Sequence, residues 1–347
     1  MTAPNAPDTL SRLQCNALRG IAILGIVLHN WTHWLPVAVK ENEYTFTARN
    51  ARRMGYVLTH PDGDLVLHLL SFFGHYGVPL FLFLSGYGLV MKYERQASPV
   101  AAGPFIGTHF LKLFRMMVIG FALFVVVDAL TASSWQYTLT QVVAQLALVN
   151  NLLPEPHHNI WPGPYWYFGL MLQLYVVYRL LLYRRSCWTL IGLVGVAWLV
   201  QALLPLAERD TLNWLRYNFV GSLLPFCLGV LAARRGVPWQ GRAADGVALA
   251  VALAAIVMGS GNYQAWLWVP AAVVVAGISV VRLIPQRALQ PLVWTGGISA
   301  ALFVVHPAVR KVFLPSQHTH EPYVALALYL IVALVAAWLI KPVMKKN

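Results

Sequence analysis

Ten apolar runs, each long enough to cross a lipid bilayer, constrain the fold of this 347-residue chain more than any other feature. A transmembrane helix needs about 20 predominantly apolar residues to cross a hydrocarbon core of about 30 Å. The chain is 59% hydrophobic and only 11% charged, whereas soluble domains contain about 25% charged residues. We therefore predict an all-α polytopic membrane protein with about ten transmembrane helices, in the runs 18–38, 66–91, 105–131, 163–183, 187–206, 214–233, 244–260, 263–282, 293–313 and 322–341.

These runs predict a single membrane-embedded domain over residues 1–347, in which residues 1–16 form a polar cytoplasmic tail. We expect the first run to be retained as a span, because it ends in aromatic residues and Pro36 rather than in a small-residue cleavage site. The composition excludes a soluble enzyme and a disordered protein. The net charge of +13 does not indicate a nucleic-acid partner, because the basic residues are dispersed between apolar runs and collect in the cytoplasmic loops of membrane proteins.

An eleventh, weaker apolar segment at 137–153 decides the orientation of everything that follows it. If this segment does not cross and the N-terminus is cytoplasmic, 17 of the 25 basic residues lie inside; if it crosses, only 10 do. The enrichment of Lys and Arg in cytoplasmic loops favours the first arrangement. We therefore predict ten spans with both termini cytoplasmic, and a re-entrant or interfacial helix at 137–153 that helps to wall a cavity.

No metal site is predicted. The three cysteines are too few and too scattered for a disulfide framework or a metal centre, and the histidines of the outer loops have no recognised ligand spacing. The residues concerned are Cys15, Cys187 and Cys227, and His157, His158, His318 and His320.

The first run, from Leu18 to Trp34, carries two unlike polar groups: Arg19 at its start and His29 ten residues later. Ten residues of helix rise about 15 Å, which is about half of the hydrocarbon core. Arg19 is therefore expected at a membrane face and His29 near the middle. Ionisable residues at that depth are costly and usually mark a pathway or a site; the alternative is a histidine that is hydrogen-bonded within the helix bundle.

The third run begins with two cations, Lys112 and Arg115, which lie three residues apart and therefore on one helix face. At the inner mouth they could bind phosphate groups through charge-assisted hydrogen bonds. Anchoring at the cytoplasmic membrane face is an equal alternative. Polar, aromatic or titratable residues within the runs are candidates for substrate contact or for support of the site, with packing as the alternative: Asn30, Ser85, Trp166, Gln173 and His306.

Five stretches, taken in order, resemble the acyltransferase-3 family of integral membrane O-acyltransferases: LRGIAILGIVLH, GVPLFLFLSGYGL, FLKLFRMM, YWYFGLMLQLYVVY and ISAALFVVHPAV. The resemblance runs from about residue 10 to residue 340. It implies a multi-pass enzyme of a bacterial-type cytoplasmic membrane, with ten core spans. It also implies transfer of an acyl group, often acetyl, from cytoplasmic acyl-CoA to a hydroxyl of an extracytoplasmic glycan or other envelope molecule.

The resemblance also implies roles for individual residues. His29 matches the proposed catalytic histidine of the family, Arg19 the basic residue before it, and Lys112 and Arg115 the motif implicated in CoA binding. Nine residues separate Arg19 from His29 where the family usually has ten, so Asn30 occupies the usual histidine place. The middle motif often has a glutamate where this chain has a glutamine, Gln173.

We expect His29 to act as general base on the acceptor hydroxyl, or in a variant mechanism to form a covalent acyl-imidazole. Two other classes remain open. The chain could be a secondary transporter or lipid flippase with His29 as a proton relay, although the two related halves of many transporters are not detectable. It could also be a catalytically inactive scaffold or sensor.

Overall fold

The computed structural model describes residues 10–131, 133–204, 208–313 and 321–345, and within these ranges it contains helices and no strand. The helices are α1 (Arg12–Thr32), α2 (Ala48–Thr59), α3 (Leu65–Phe73), α4 (Gly77–Leu89), α5 (Ala102–Leu130), α6 (Leu139–Leu146), α7 (Pro156–Asn159), α8 (Trp166–Val177), α9 (Cys187–Leu203), α10 (Arg209–Tyr217), α11 (Phe219–Arg235), α12 (Arg242–Gly259), α13 (Tyr263–Trp266), α14 (Val269–Leu283), α15 (Gln290–Phe313) and α16 (Pro322–Lys345).

Five helical segments of the described chain are long and apolar enough to cross a membrane, and the count is six if α10 and α11 form one span bent by 43°. The all-helical membrane prediction is thereby confirmed for the described ranges, whereas the predicted number of ten spans is not. Helices α9 and α14 are apolar but shorter. The five segments are Leu65–Glu94, Ala102–Leu130, Arg242–Gly259, Gln290–Phe313 and Pro322–Met344.

The segment predicted at 137–153 contains α6, which has eight residues and is therefore only about 12 Å long. A helix of that length cannot cross a hydrocarbon core of about 30 Å. Its start is set by Thr138, whose side chain accepts a hydrogen bond from the backbone N–H of Gln141. A single turn at Asn150–Leu152 follows before the chain turns toward α7.

Helix α1 is the central element of the bundle, packed against α15, α4 and α3. It begins at Arg12, earlier than the predicted run, because Ser11 and Gln14 form a reciprocal capping box. Glycines bring the backbones together: a Cβ on Gly20 would collide with the carbonyl oxygen of Leu292, and a Cβ on Gly296 with that of Asn16. This close approach is the packing device expected of small residues in membrane helices.

The four glycines of the second predicted run are not equivalent. Added Cβ atoms at Gly74, Gly77 and Gly86 would meet backbone atoms of α1 or α11 at less than 3.0 Å, whereas Gly88 has no heavy atom within 4 Å. Close helix packing therefore involves Gly74, Gly77 and Gly86 and not Gly88.

Candidate functional site

A cavity of about 700 Å³ passes between α1, α4, α5, α8 and α15. Its basic end is lined by Arg19 of α1 and Lys112 of α5, and His29 lines it ten residues further along α1. Its far end, beyond His29, is lined by Trp34 and by Trp161 of the loop before α8. The cavity therefore joins two of the predicted cations, Arg19 and Lys112, to His29.

The orientation of His29 is set by a hydrogen bond between its Nδ1 and the backbone oxygen of Ser71, at 2.8 Å. A carbonyl oxygen only accepts, so in the neutral ring Nδ1 carries the hydrogen and Nε2 keeps a free lone pair. The side chain is 8% exposed, and Gly74 lies directly against its Cβ. In this tautomer Nε2 of His29 is able to accept a hydrogen bond within the cavity wall.

Two further histidines surround His29, and sequence reasoning misses both. The rings of His33 and His75 lie 4.9 and 5.6 Å from the His29 ring, centroid to centroid. His33 could have been found from its spacing, because residues four apart share a helix face. His75 comes from the turn between α3 and α4, and both of its ring nitrogens lack a hydrogen-bond partner among the described residues.

A carboxyl group completes this cluster of imidazoles. Glu43, from the loop between α1 and α2, places Oε1 3.9 Å from Nδ1 of His75 and lines the cavity. Burial raises the pKa of Glu43 to about 8, because removal from water disfavours the charged form of a carboxyl group. Glu43 is the only acidic residue in the cavity lining of the described chain.

Arg310 is a cavity residue that sequence reasoning also misses. Its Nη1 donates to the side-chain oxygen of Asn30 at 3.1 Å and to the Asn30 backbone oxygen at 3.4 Å. Asn30 lines the cavity as well, so the residue in the usual histidine place ties α1 to α15. The only sequence signal for Arg310 is its position four residues after His306, on the same helix face.

The basic end of the cavity carries no acidic side chain among the described residues. Arg19 donates from Nη1 to Oδ1 of Asn16 at 2.9 Å, and Lys112 approaches from α5 across the cavity. Gly296 and Gly297 of α15 also line this part. Two cations beside small residues suit the binding of phosphate groups.

Two of the remaining predicted residues line the cavity and three do not. Ser85 and Trp166 are part of the lining, and the Ser85 hydroxyl donates to Phe81 O of its own helix at 2.8 Å. Arg115 is exposed on α5 outside the lining. His306 is fully buried outside the lining, with Nδ1 3.1 Å from the backbone oxygen of Leu302.

Gln173 also lies outside the cavity lining, because it links two helices. Its Nε2 donates to Oδ1 of Asn218 at 2.7 Å, and its Oε1 accepts from the backbone N–H of Phe219 at 3.0 Å. These bonds tie α8 to the start of α11. A polar residue in an apolar run is here a structural cross-link.

Within the described residues, no group of three or more His, Cys, Asp or Glu side chains is arranged to hold a metal ion. Of the outer-loop histidines, His157 lines the far end of the cavity. His318 and His320 lie outside the described residues.

Comparison with known proteins identifies a family. The chain matches the acyltransferase-3 family model, described as an acyltransferase domain, over residues 13–341. No curated protein and no solved structure matches it.

Proposed function

The chain belongs to the acyltransferase-3 family, and from this premise we propose that it is a membrane O-acetyltransferase acting between cytoplasmic acetyl-CoA and an extracytoplasmic acceptor. The acceptor is a glycan or another hydroxyl-bearing envelope molecule, and the membrane is a bacterial-type cytoplasmic membrane. The coarser statement, that the chain is a multi-pass membrane acyltransferase, follows from its family and its apolar helices.

The observation that carries the proposal is the continuous cavity between the basic end and His29. The phosphates of CoA bind at Arg19 and Lys112, and the pantetheine arm extends along α1 by about 15 Å, the rise of ten helical residues. This places the thioester beside His29. The far end of the same cavity admits the acceptor.

The orientation in the membrane belongs to the same proposal. Ten spans with cytoplasmic termini place 17 of the 25 basic residues inside, as membrane topology favours. The basic end then faces the cytoplasm, where acetyl-CoA is found.

The reaction needs one base, and His29 neither gains nor loses a proton over the complete reaction. Nε2 of His29, left free by the bond from Nδ1 to Ser71 O, accepts the proton of the acceptor hydroxyl as the oxygen attacks the thioester carbonyl. When the carbon–sulfur bond breaks, the imidazolium returns this proton to the CoA thiolate. The ester leaves through the far end and CoA through the basic end.

The test is release of free CoA thiol by the purified full-length protein, mixed with acetyl-CoA and an envelope glycan extract. We expect His29→Ala to abolish release while CoA still binds. His158→Ala is the matched control, because His158 is an exposed outer-loop histidine outside the cavity lining, and it should retain the rate. Normal release by His29→Ala would refute the assignment. A protein that binds no CoA and releases no thiol would instead support a transporter or flippase.

A further inference from the structure

The far end of the cavity contains a buried cation that the mechanism above does not use. Arg310 is 4% exposed and lines the cavity. Its guanidinium lies over the ring of Trp34, with 5.4 Å between Cζ and the ring centroid. Nη1 bonds to two oxygens of Asn30, and Nε has no hydrogen-bond partner among the described residues.

Other buried or largely buried cations of the described chain have acidic neighbours. Arg216 bonds to the backbone oxygen of Glu43 and has the carboxyl groups of Glu41 and Glu43 as neighbours. Three further cations form direct ion pairs, with these nitrogen–oxygen distances: Lys311–Asp128 at 2.9 Å, Arg234–Glu94 at 2.7 Å and Arg282–Asp245 at 3.8 Å.

No carboxylate among the described residues forms a salt bridge with Arg310. The titratable groups around it are phenols and imidazoles. A buried charge without a partner is unfavourable by several kcal/mol, and a guanidinium remains charged at any physiological pH. The surrounding groups are Tyr44, Tyr329, His29, His33 and His306.

We propose that Arg310 binds a carboxylate or phosphate group of the acceptor, which makes the acceptor of this acyltransferase an anionic molecule. The inference rests on the proposed function, because that function brings an acceptor into the far end. The planar guanidinium suits two-point binding of either group. Trp34 lies on one side of the cation, and the acceptor's anion approaches Arg310 from the cavity.

The phosphates of the donor do not fill this position. Arg310 contacts Asn30, the residue that follows His29, whereas Arg19 lies eleven residues before Asn30 on α1. A donor whose thioester reaches His29 has its phosphates at the basic end. Glu43 does not oppose an anion at neutral pH, because burial raises its pKa to about 8 and leaves the carboxyl largely protonated.

The test is calorimetric titration of the purified full-length protein, without acetyl-CoA, using three sugar probes. Methyl β-D-glucuronide supplies a carboxylate, glucose 1-phosphate a phosphate, and methyl β-D-glucoside is the neutral match. We expect at least one anionic probe to bind at least about tenfold more tightly than the neutral sugar. This factor corresponds to one charge-assisted hydrogen-bonded contact, and the tighter anion identifies the acidic group.

Four variants locate the binding site. Arg310→Gln should weaken binding of the anion about tenfold or more. Arg310→Lys keeps the charge but loses the planar fork, so its affinity for the anion should lie between those of Arg310→Gln and the unmodified protein. Arg52→Gln removes an exposed cation of α2 and should change nothing. Lys112→Gln should not affect the glucuronide, because Lys112 lies at the basic end.

Three results would overturn the inference: equal affinity for neutral and anionic sugars, no anion binding at all, or a loss in Lys112→Gln that Arg310→Gln does not share. An Arg310 that served only the transient oxyanion of the reaction would give the second of these results. A CoA titration of the same samples tests the proposed function separately, since CoA binding needs the basic end and not Arg310.

Discussion

Replacing Gly74 by alanine should disturb the histidine site, whereas the same replacement at Gly88 should not. An added Cβ at Gly74 would lie 2.7 Å from the backbone oxygen of Gly25 and 2.8 Å from Cβ of His29. At Gly88, in the same helical segment, it would meet no heavy atom within 4 Å. The two variants therefore make the same chemical change, one against α1 and one in open space.

The magnitude follows from the distances. Ordinary van der Waals contact begins at 3.4 Å, so α1 and the turn at Gly74 must separate by about 0.7 Å. Overpacking of this kind destabilises by about 1–3 kcal/mol. The separation also pulls Ser71, whose oxygen holds Nδ1 of His29 at 2.8 Å. Misplacement by about 1 Å can cost about 10²-fold in rate, so we expect roughly a tenfold loss.

The assay pairs CoA thiol release with the midpoint of thermal unfolding for both variants. Gly74→Ala should lose rate at temperatures where it is still folded. Gly88→Ala should keep the rate, and its free energy of unfolding should rise by about 0.5–1 kcal/mol, because alanine loses less conformational entropy than glycine in a helix. A Gly74→Ala protein with unchanged rate and stability would show that the turn does not position His29.

Further predictions concern buried charges and the basic end. Asp128→Asn should lower the free energy of unfolding by about 3–5 kcal/mol, because it leaves Lys311 buried beside an uncharged group; adding Lys311→Met should restore most of this loss in thermal unfolding. Burial raises the pKa of Glu41 from 4.5 to about 8, so its contribution to stability is complete below about pH 4.5 and is lost as the pH rises through about 8. Thermal unfolding midpoints between about pH 5 and pH 9 should therefore fall more in the unmodified protein than in Glu41→Gln. Lys112→Gln should raise the KM for acetyl-CoA about tenfold with little change in kcat, whereas Arg115→Gln, outside the cavity lining, should leave steady-state kinetics nearly unchanged.

Local sequence is sufficient for the features that depend on hydropathy and helix geometry. The apolar runs predict where helices form, because a chain in lipid must satisfy its own backbone hydrogen bonds. The spacing of Arg19 and His29 predicts their separation along α1, since each helical residue rises 1.5 Å. The distribution of basic residues predicts that the segment at 137–153 is not a span, and the helix within it is only eight residues long.

Contacts between distant parts of the chain are not visible in the sequence. Gln173 is a polar residue in an apolar run, which is the pattern of a functional residue, yet its partners Asn218 and Phe219 make it a structural link. Arg310 follows the same basic pattern as anchoring residues at helix ends. Only the packing of α15 on α1 shows that it faces the cavity, where no carboxylate of the described residues forms a salt bridge with it.

The adjacent positions of His29 and Asn30 constrain the acceptor. Both residues line the cavity, one as the free base and the other as the ligand of Arg310. Consecutive Cα atoms lie about 3.8 Å apart, and Arg310 of α15 bonds to Asn30, so the guanidinium proposed to bind the anion lies close to the base. An acceptor that engages both must carry its reactive hydroxyl close to its acidic group, on the same sugar or on the unit joined directly to it. A neutral polymer, or one whose acidic groups are several units from the acetylated hydroxyl, could place its hydroxyl at His29 but would leave Arg310 without an anionic partner.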